Sequence, residues 1–237
     1  LKPMGLSPRE LADQAYRFAV GGIDLIKDDH GLGNQPFSPF EERVAICCEA
    51  VARARREAGS QTLYFPNVTA AADKVHQRAL RAKALGAGGL VISPGLAGID
   101  ALRMIAADDS IGLPIMSHPS FLGSFVTSAT NGFGHAALFG QLMRLAGADV
   151  TVFPNYGGRF SFTREECAAI ARATCEDMGG VVEMFPGPGG GMTSDRAKDM
   201  LEVYGREFVL LSGGGMHRHS SDLAENARYF VNMLGSF

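Results

Sequence analysis

The chain has 237 residues, enough to bury a sizeable core as one large domain or two small ones. Its 22 basic and 25 acidic residues give a net charge of −3 without a basic block, which argues against nucleic acid or an anionic membrane as a partner. No apolar run approaches the roughly 20 residues that span a bilayer, and no signal peptide is visible. The four cysteines lack a CxxC spacing, so we expect free thiols in a reducing cytoplasm. The chain begins with Leu1 rather than Met, so we expect a fragment or a processed piece.

Short apolar runs alternate with helical patterns along the chain, which predicts strand–helix units. The predicted strands are at 1–4, 22–27, 61–66, 89–93, 113–118, 149–154, 181–185 and 207–212. The predicted helices are at 8–19, 39–58, 71–86, 98–109, 135–147, 163–178, 194–204 and 220–234. Eight units in 237 residues favour an α/β fold of the (β/α)8 (TIM) barrel type over an open, doubly wound sheet. We therefore expect a single barrel domain over residues 1–237.

Three helix starts have the sequence of a capping box. Residues 7–10 read Ser-Pro-Arg-Glu and residues 38–41 read Ser-Pro-Phe-Glu, and residues 163–166 (Thr-Arg-Glu-Glu) repeat the pattern without the proline. The hydroxyl accepts from an unpaired N–H of the first turn and the glutamate reaches back, while proline loses nothing at the first helical position. We predict Ser7, Ser38 and Thr163 as N-caps.

Four ionisable residues, Lys27-Asp28-Asp29-His30, end the second predicted strand. In a barrel this is the functional end of the strand. Side chains two apart share a face of a strand, so we expect Lys27 and Asp29 to point together and Asp28 to point away. Such a cluster is costly to bury unless it is paired or coordinates something. It predicts a metal or catalytic site, with a plain Lys27–Asp29 ion pair as the alternative.

Other predicted strands also end in residues suited to binding. The glycine runs 187–191 and 212–215 follow strands seven and eight, where barrels often bind phosphate through backbone N–H groups, although glycine also serves tight turns. His118 ends strand five as a candidate for substrate contact or proton transfer, or else as a core histidine with satisfied hydrogen bonds. Arg159 lies in a glycine-containing loop after strand six, which is either a mobile lid or a surface turn.

Five segments together have a familiar pattern. They are residues 2–7 (KPMGLS), 21–24 with 27–29 (GGID and KDD), 34–37 (NQPF), 144–149 (RLAGAD) and 212–215 (SGGG). The chain resembles the large chain of ribulose bisphosphate carboxylase (RuBisCO), and more closely the RuBisCO-like proteins of the form IV branch. The resemblance runs from the first barrel strand to the eighth helix. We expect this chain to lack the N-terminal α/β domain of that family.

The resemblance implies a Mg²⁺ site. Lys27 matches the lysine that the family carbamylates with CO₂ so that it can ligate Mg²⁺, and Asp29 matches the aspartate ligand. His30 stands where the family usually has a glutamate as third ligand. A neutral imidazole removes one negative charge from the metal shell, so Mg²⁺ should bind more weakly or a different metal be preferred.

The resemblance also implies roles for residues around the metal. Lys2 matches a lysine that contacts substrate and can move protons, and His118 matches an active-site histidine. Asn67 falls in an asparagine motif near the metal and is expected to bind substrate. Arg159 stands where carboxylases place the mobile-loop lysine, so the expected catalytic residues are Lys2, Lys27, His118 and Arg159.

Carboxylases hold two phosphates, and this chain keeps partners for one. Pro119, Val152 and Gly189 replace a basic residue, a histidine and a serine of the second pocket. The first pocket is retained as Gly190, Gly191, Ser212, Gly213 and Gly214. A second phosphate would lack charge-assisted donors, so we expect a substrate with one phosphate and no carbon fixation.

The predicted function is Mg²⁺-dependent proton abstraction and enediolate chemistry on a monophosphorylated keto-sugar or keto-acid. The outcome would be isomerisation or enolisation, as in methionine-salvage relatives, or decarboxylation. The alternatives are an inactive phosphate-ester-binding or regulatory relative and a true carboxylase. The resemblance implies a cytoplasmic homodimer or larger homo-oligomer.

Overall fold

The computed structural model describes residues 1–128, 130–158, 161–190, 196–217 and 219–235. Its α-helices are α1 (Pro8–Val20), α2 (Phe40–Ala58), α3 (Ala72–Ala84), α4 (Pro94–Ala97), α5 (Ile99–Ala106), α6 (Met143–Leu145), α7 (Arg164–Cys175), α8 (Ala197–Tyr204) and α9 (Leu223–Gly235). Leu122–Phe125 and Gly214–His217 are 3₁₀-helices, and Ala136–Leu142 is a π-helix. Among the described residues, no helix combines the length and apolar character that crossing a bilayer requires.

All paired strands run parallel, which confirms the α/β class. The strands are β1 (Leu25–Lys27), β2 (Leu63–Phe65), β3 (Leu90–Ile92), β4 (Ile115–Ser117), β5 (Val150–Pro154) and β6 (Phe185–Gly189). β1 pairs with β2, and the other four form a second sheet in the order β3-β4-β5-β6. A single parallel bridge between Asn67 and Val91 links the two sheets. Within the described ranges, the strands do not form a closed ring.

The apolar side chains form two clusters on opposite faces of the strands. The larger cluster packs strands against helices and includes the fully buried Leu11, Val44 and Ile170. The smaller consists of Phe65, Val91, Met116, Val150 and Val152, with Leu25, Leu63, Val209 and Leu211 packed against it. Because β1–β5 and the 207–212 segment all contribute, both sheets curve around one shared interior.

The seventh predicted strand lies four residues too early, since β6 occupies Phe185–Gly189 rather than 181–185. Buried Arg144 explains the difference. Its guanidinium donates to the carbonyls of Val181 (2.5 Å), Val182 (2.8 Å) and Glu176 (2.6 Å). A side chain therefore uses acceptors that a neighbouring strand would need.

The eighth predicted strand, 207–212, is wrong as a regular strand. Residues 185, 187 and 189 of β6 direct their backbone groups toward β5, as the Phe185 N–H bond to Asp149 O shows. Residues 186 and 188 face the 207–212 segment, and both are prolines without an N–H. The segment donates from Val209 to Pro186 O (2.9 Å), but β6 cannot donate back at these two positions.

The first predicted strand, 1–4, also does not form. Leu1 pairs with the end of β1: its nitrogen donates to Lys27 O, and its carbonyl accepts from the Asp29 N–H at 3.3 Å. Pro3 then lacks an N–H, and Gly5 has a φ of 96°, so the chain turns toward α1.

Two of the three predicted N-caps are formed. Ser7 and Thr163 each cap a helix, with the reciprocal bond from the glutamate at N3. The Ser38 prediction is wrong, because Pro39 is the N-cap of α2 and Asn34 Oδ1 accepts the Phe40 N–H at 2.8 Å. Ser38 Oγ is buried without a hydrogen-bond partner in the described part of the chain.

The two serines give a matched pair of stability variants. Ser7→Ala is expected to lower the free energy of unfolding by about 1 kcal/mol, the usual value of an N-cap. Ser38→Ala is expected to leave it unchanged or raise it, because a buried hydroxyl without a partner loses no bond. Urea unfolding followed by circular dichroism measures both, and equal losses would contradict the assignment of the caps.

Candidate functional site

A cleft of ≈ 1260 Å³ opens beside the C-terminal ends of the strands and contains most of the predicted site residues. Its wall includes Lys2, Lys27, Asp29, His30, His118, Gly190, Ser212, Gly213 and Gly214. These residues come from the chain start, the ends of β1, β4 and β6, and the 212–214 turn. Arg159 and Gly191 lie outside the described residues, so the lid and part of the glycine loop stay predictions.

Lys27 is the last residue of β1 and lines the cleft, and its neighbour Ile26 packs in the larger core. Its Nζ donates to the Asp28 carbonyl at 2.8 Å. Burial lowers the pKa of Lys27, and the positive charge of Lys2 adds to this, against the opposing effects of Asp29 and Asp28. The neutral amine is therefore more accessible than for an exposed lysine.

Asp29 lies beside Lys27 on the cleft wall. Burial raises the pKa of Asp29, but the Gly31 N–H (2.9 Å to Oδ1), His30 and Lys27 outweigh it, so the net direction is below the ordinary value. Asp29 is thus a carboxylate at neutral pH. Its Oδ1 lies 3.5 Å from His30 Nδ1, which brings two potential metal ligands together.

His30 and His118 stack on each other, with ring centroids 4.6 Å apart and an interplanar angle of 17°. Burial is the largest cause that lowers the pKa of His118 to about 3; Lys27 and His30 add to it, and Asp29 opposes it. The Ser120 N–H donates to His118 Nδ1 at 3.3 Å. A neutral His118 with its proton on Nε2 can therefore donate a hydrogen bond, but it brings no positive charge.

Asp28 points away from the cleft into a buried polar network. It is fully buried and accepts from Arg43 Nε (3.1 Å), Tyr64 OH (2.7 Å) and the Asn67 N–H (3.0 Å). Thus the run of four ionisable residues divides between a structural network and the cleft. Sequence reasoning missed Arg43. The available signal was its helical spacing with the apolar Phe40, Val44 and Cys47, which places a charge on the buried face of α2.

Asn67 is fully buried between the loops that follow β1 and β2. Its Nδ2 donates to the His30 carbonyl at 2.9 Å, and its Oδ1 accepts from the Thr69 N–H at 3.0 Å. The side chain thus fixes the backbone next to His30. Its predicted contact with substrate stays a prediction.

The predicted phosphate cradle brings a lysine against a glycine turn. A Cβ added at Gly213 would lie 2.6 Å from Lys2 Nζ, so glycine permits this close approach. Ser212 Oγ is buried with no hydrogen-bond partner among the described residues. Gly190 adopts a φ of 93°, which favours glycine. A buried hydroxyl without a partner, next to a glycine turn that a lysine approaches, is a suitable environment for an anion.

The three replaced positions of the second phosphate pocket, Pro119, Val152 and Gly189, line the same cleft. At Gly189 an added Cβ would lie 2.7 Å from Leu211 Cδ2, so a serine does not fit there without a shift of Leu211. This wall therefore offers apolar surface where a second dianion would need charged donors.

The metal prediction can be tested against the donor atoms present. In the part of the chain that the structure describes, no three His, Cys, Asp or Glu side chains are placed to hold a metal. Asp29 and His30 supply two donors, and Lys27 faces the same cleft. The set fits a divalent cation when Lys27 becomes a carbamate, which turns a cationic group into an oxygen ligand.

Residues 1–229 match the family model of the ribulose bisphosphate carboxylase large chain, catalytic domain. The chain is 36% identical to a 5-methylthioribulose-1-phosphate isomerase of Rhodospirillum rubrum over 98% of its length and 60% of that protein. It is 33% identical to a 2,3-diketo-5-methylthiopentyl-1-phosphate enolase of Bacillus pumilus over 98% of its length and 57% of that protein. The crystal structure of a Rubisco-like protein from Rhodopseudomonas palustris superposes with a TM-score of 0.90 at 38% identity, covering 100% of this chain and 63% of that one. The chain thus spans about three fifths of the length of these relatives. It belongs to the ribulose bisphosphate carboxylase large-chain family, among its RuBisCO-like proteins.

Proposed function

We propose that this chain is the barrel domain of an enzyme that abstracts a proton from a monophosphorylated keto-sugar or keto-acid through an enediolate and does not fix CO₂. One observation carries the proposal: a single cleft holds Lys2 against the Gly213 turn together with Lys27, Asp29 and His30. The names of the isomerase and enolase relatives support this class of reaction. We further propose that the strands form the (β/α)8 barrel of the family, in a cytoplasmic homodimer or larger homo-oligomer.

The proposed metal is Mg²⁺, held by carbamylated Lys27, Asp29 and His30. When bound, it supplies positive charge that stabilises an oxyanion. The lowered pKa of Lys27 supports the carbamate, because only the neutral amine reacts with CO₂. His118 donates from Nε2 to a substrate oxygen.

Lys2 is the proposed base. Its Nζ lies at the Gly213 turn, so a substrate whose phosphate occupies the cradle presents its nearest carbons to this amine. Removal of a proton next to the carbonyl gives the enediolate, and reprotonation at the neighbouring carbon completes an isomerisation. Carbon–carbon cleavage into the same enediolate would be a decarboxylation.

Deuterium exchange tests this proposal. The native protein with 5-methylthioribulose 1-phosphate, Mg²⁺ and bicarbonate in D₂O is expected to exchange the proton next to the carbonyl, as followed by NMR. Lys2→Ala should slow exchange by about 10²-fold or more, the size of a general-base contribution. Lys74→Ala, an exposed lysine of α3, is the control and should have no effect.

A non-catalytic phosphate-ester receptor is the second candidate. It is favoured by the stacking of His30 on His118 at the position where the family has a ligand carboxylate. Tight binding of keto-sugar and keto-acid phosphates without exchange into any of them would establish this candidate and reject the enzyme.

The cradle also predicts which phosphate esters bind. A monophosphate is expected to bind about 10- to 100-fold more tightly than the corresponding 1,5-bisphosphate, because the second dianion would lose water without gaining charged donors. Isothermal titration calorimetry measures both. Ser212→Ala should weaken both ligands by the same factor, and tighter binding of the bisphosphate would contradict the single-phosphate assignment.

A further inference from the structure

We propose that Arg43 is a positioning residue, which holds the loop between β1 and α2 so that Asp29 and His30 keep their places in the cleft. This inference rests on the proposed function for its effect on turnover. The structural part stands on its own hydrogen bonds and is tested separately below.

Arg43 is fully buried and binds the loop at four points. Its Nη1 donates to the Ser38 carbonyl at 2.7 Å, and its Nη2 donates to the carbonyls of Leu32 (2.8 Å) and Gly33 (3.0 Å). Its Nε donates to Asp28 Oδ2 at 3.1 Å. The guanidinium therefore joins both ends of the loop to one rigid point on α2.

The geometry requires the guanidinium fork. Its three nitrogens point in fixed, diverging directions within one plane, and each finds an acceptor here. A lysine at this position would keep the charge that Asp28 needs, but its single nitrogen could not reach acceptors on three sides. The site thus uses the shape of the arginine as well as its charge.

Most other bonds of the residues between Asp28 and Ser38 run within the loop itself. Gly31 donates to Asp29 Oδ1 (2.9 Å) and Asn67 donates to the His30 carbonyl (2.9 Å). These bonds fix His30 relative to Asp29 and β2. Further along, the Leu32 N–H donates to the Asp29 carbonyl (3.0 Å) and Gln35 Nε2 donates to the Gly31 carbonyl (2.8 Å), so these bonds tie the loop to itself. Asn34 Oδ1 accepts from the Phe40 N–H (2.8 Å), which ties the loop to α2 at one point besides Arg43. Without Arg43 the carbonyls of Leu32, Gly33 and Ser38 would lose their three bonds to the guanidinium, so we expect this half of the loop to move more and to carry Asp29 and His30 with it.

The expected functional effect is a loss of metal binding with retention of phosphate binding, because the cradle belongs to other elements, β6 and the 212–214 turn. Displacement of a ligand by about 1 Å is enough to reduce a rate by about 10²-fold. A general loss of folding would instead weaken both kinds of binding together.

The test compares Arg43→Lys with Arg144→Lys in the native protein. Arg144 is the matched control, since it is also buried and also donates to three backbone carbonyls, at 176, 181 and 182. Amide hydrogen exchange by mass spectrometry reports the mobility of each loop. Mn²⁺ titration with bicarbonate, followed by electron paramagnetic resonance, reports metal binding without any need for turnover.

We expect Arg43→Lys to speed amide exchange in residues 28–38 but not in 176–184, and to weaken Mn²⁺ binding by about 10-fold or more. Arg144→Lys should speed amide exchange in residues 176–184 but not in 28–38, and it should leave Mn²⁺ binding unchanged. Asn34→Ala removes the acceptor of the Phe40 N–H in the same loop. It should also speed amide exchange in residues 28–38 and weaken Mn²⁺ binding, but by less, and it provides the test if Arg43→Lys fails to fold.

Unchanged exchange in 28–38 in both Arg43→Lys and Asn34→Ala, or equal losses of Mn²⁺ binding in Arg43→Lys and Arg144→Lys, would overturn the inference. Absence of deuterium exchange into substrate by the wild-type protein would reject the proposed function alone. The amide-exchange and Mn²⁺ results would still decide the role of Arg43.

Discussion

Replacement of Lys27 by methionine is expected to lower the rate of deuterium exchange into substrate by about 10²- to 10³-fold, the size of a lost electrostatic contact to a developing oxyanion. Methionine keeps most of the length and the apolar stem of the side chain, but it can neither form a carbamate nor ligate a hard cation such as Mg²⁺. Residual exchange should no longer respond to bicarbonate, whereas the wild-type rate should rise with it.

The same variant should be at least as stable as the wild type. The pKa of Lys27 is lowered in the folded state, mainly by burial, so the ammonium form disfavours folding. This penalty is fully present below the folded pKa, shrinks as the pH rises toward 10.5, and is absent from Lys27→Met. A large fall of the urea midpoint at pH 7 would mean that Lys27 stabilises the folded state, which would contradict its assignment as a metal ligand.

Asp28→Ala is expected to lower the free energy of unfolding by about 3–5 kcal/mol, the usual result of breaking a buried ion pair. The variant leaves Arg43 as a buried charge without its counter-ion, and it also deprives Tyr64 OH and the Asn67 N–H of their acceptor. Urea unfolding followed by fluorescence or circular dichroism measures the loss.

Two companion variants separate these contributions. Tyr64→Phe should lose about 1–2 kcal/mol, because one neutral donor to a carboxylate is removed. Asp29→Ala, one residue further along, should change stability far less, since its carboxylate is partly exposed and accepts from one backbone N–H. Equal losses for Asp28→Ala and Asp29→Ala would contradict the division of the run into a buried and a cleft-facing part.

The sequence predicted the α/β class and most of the helices and strands, because the spacing of apolar residues and the capping residues are local signals. The predicted strands 1–4 and 207–212 did not form. Ser7 and Thr163 cap helices as predicted. Ser38 does not, although it has the same local pattern, because Asn34 from the preceding loop reaches the Phe40 N–H. That competition depends on the path of the loop, which no pattern of four residues records.

The candidate site was predictable where it depends on the alternation of a strand, as in Lys27 and Asp29. It was not predictable where it depends on long-range partners. Arg43 lies 15 residues from Asp28 and Tyr64 lies 36 residues from it, and only the folded chain brings the three together. The shifted strand has the same kind of cause, since Arg144 binds carbonyls more than 30 residues away.

Pro186 and Pro188 have a consequence for the thermodynamics of ligand binding. Gly190 follows β6, and Ser212 is the last residue of the 207–212 segment beside it. The two halves of the cradle therefore lie on opposite sides of a boundary across which Pro186 and Pro188 donate no hydrogen bonds. An anion that accepts from both halves would act as a removable crosslink across this boundary. Folding and ligand affinity are then linked equilibria, because a bound anion makes the wall of the cleft more rigid. A substitution that restores an N–H donor at 186 or 188 would order this wall before the ligand binds, and so would reduce the entropy lost on binding.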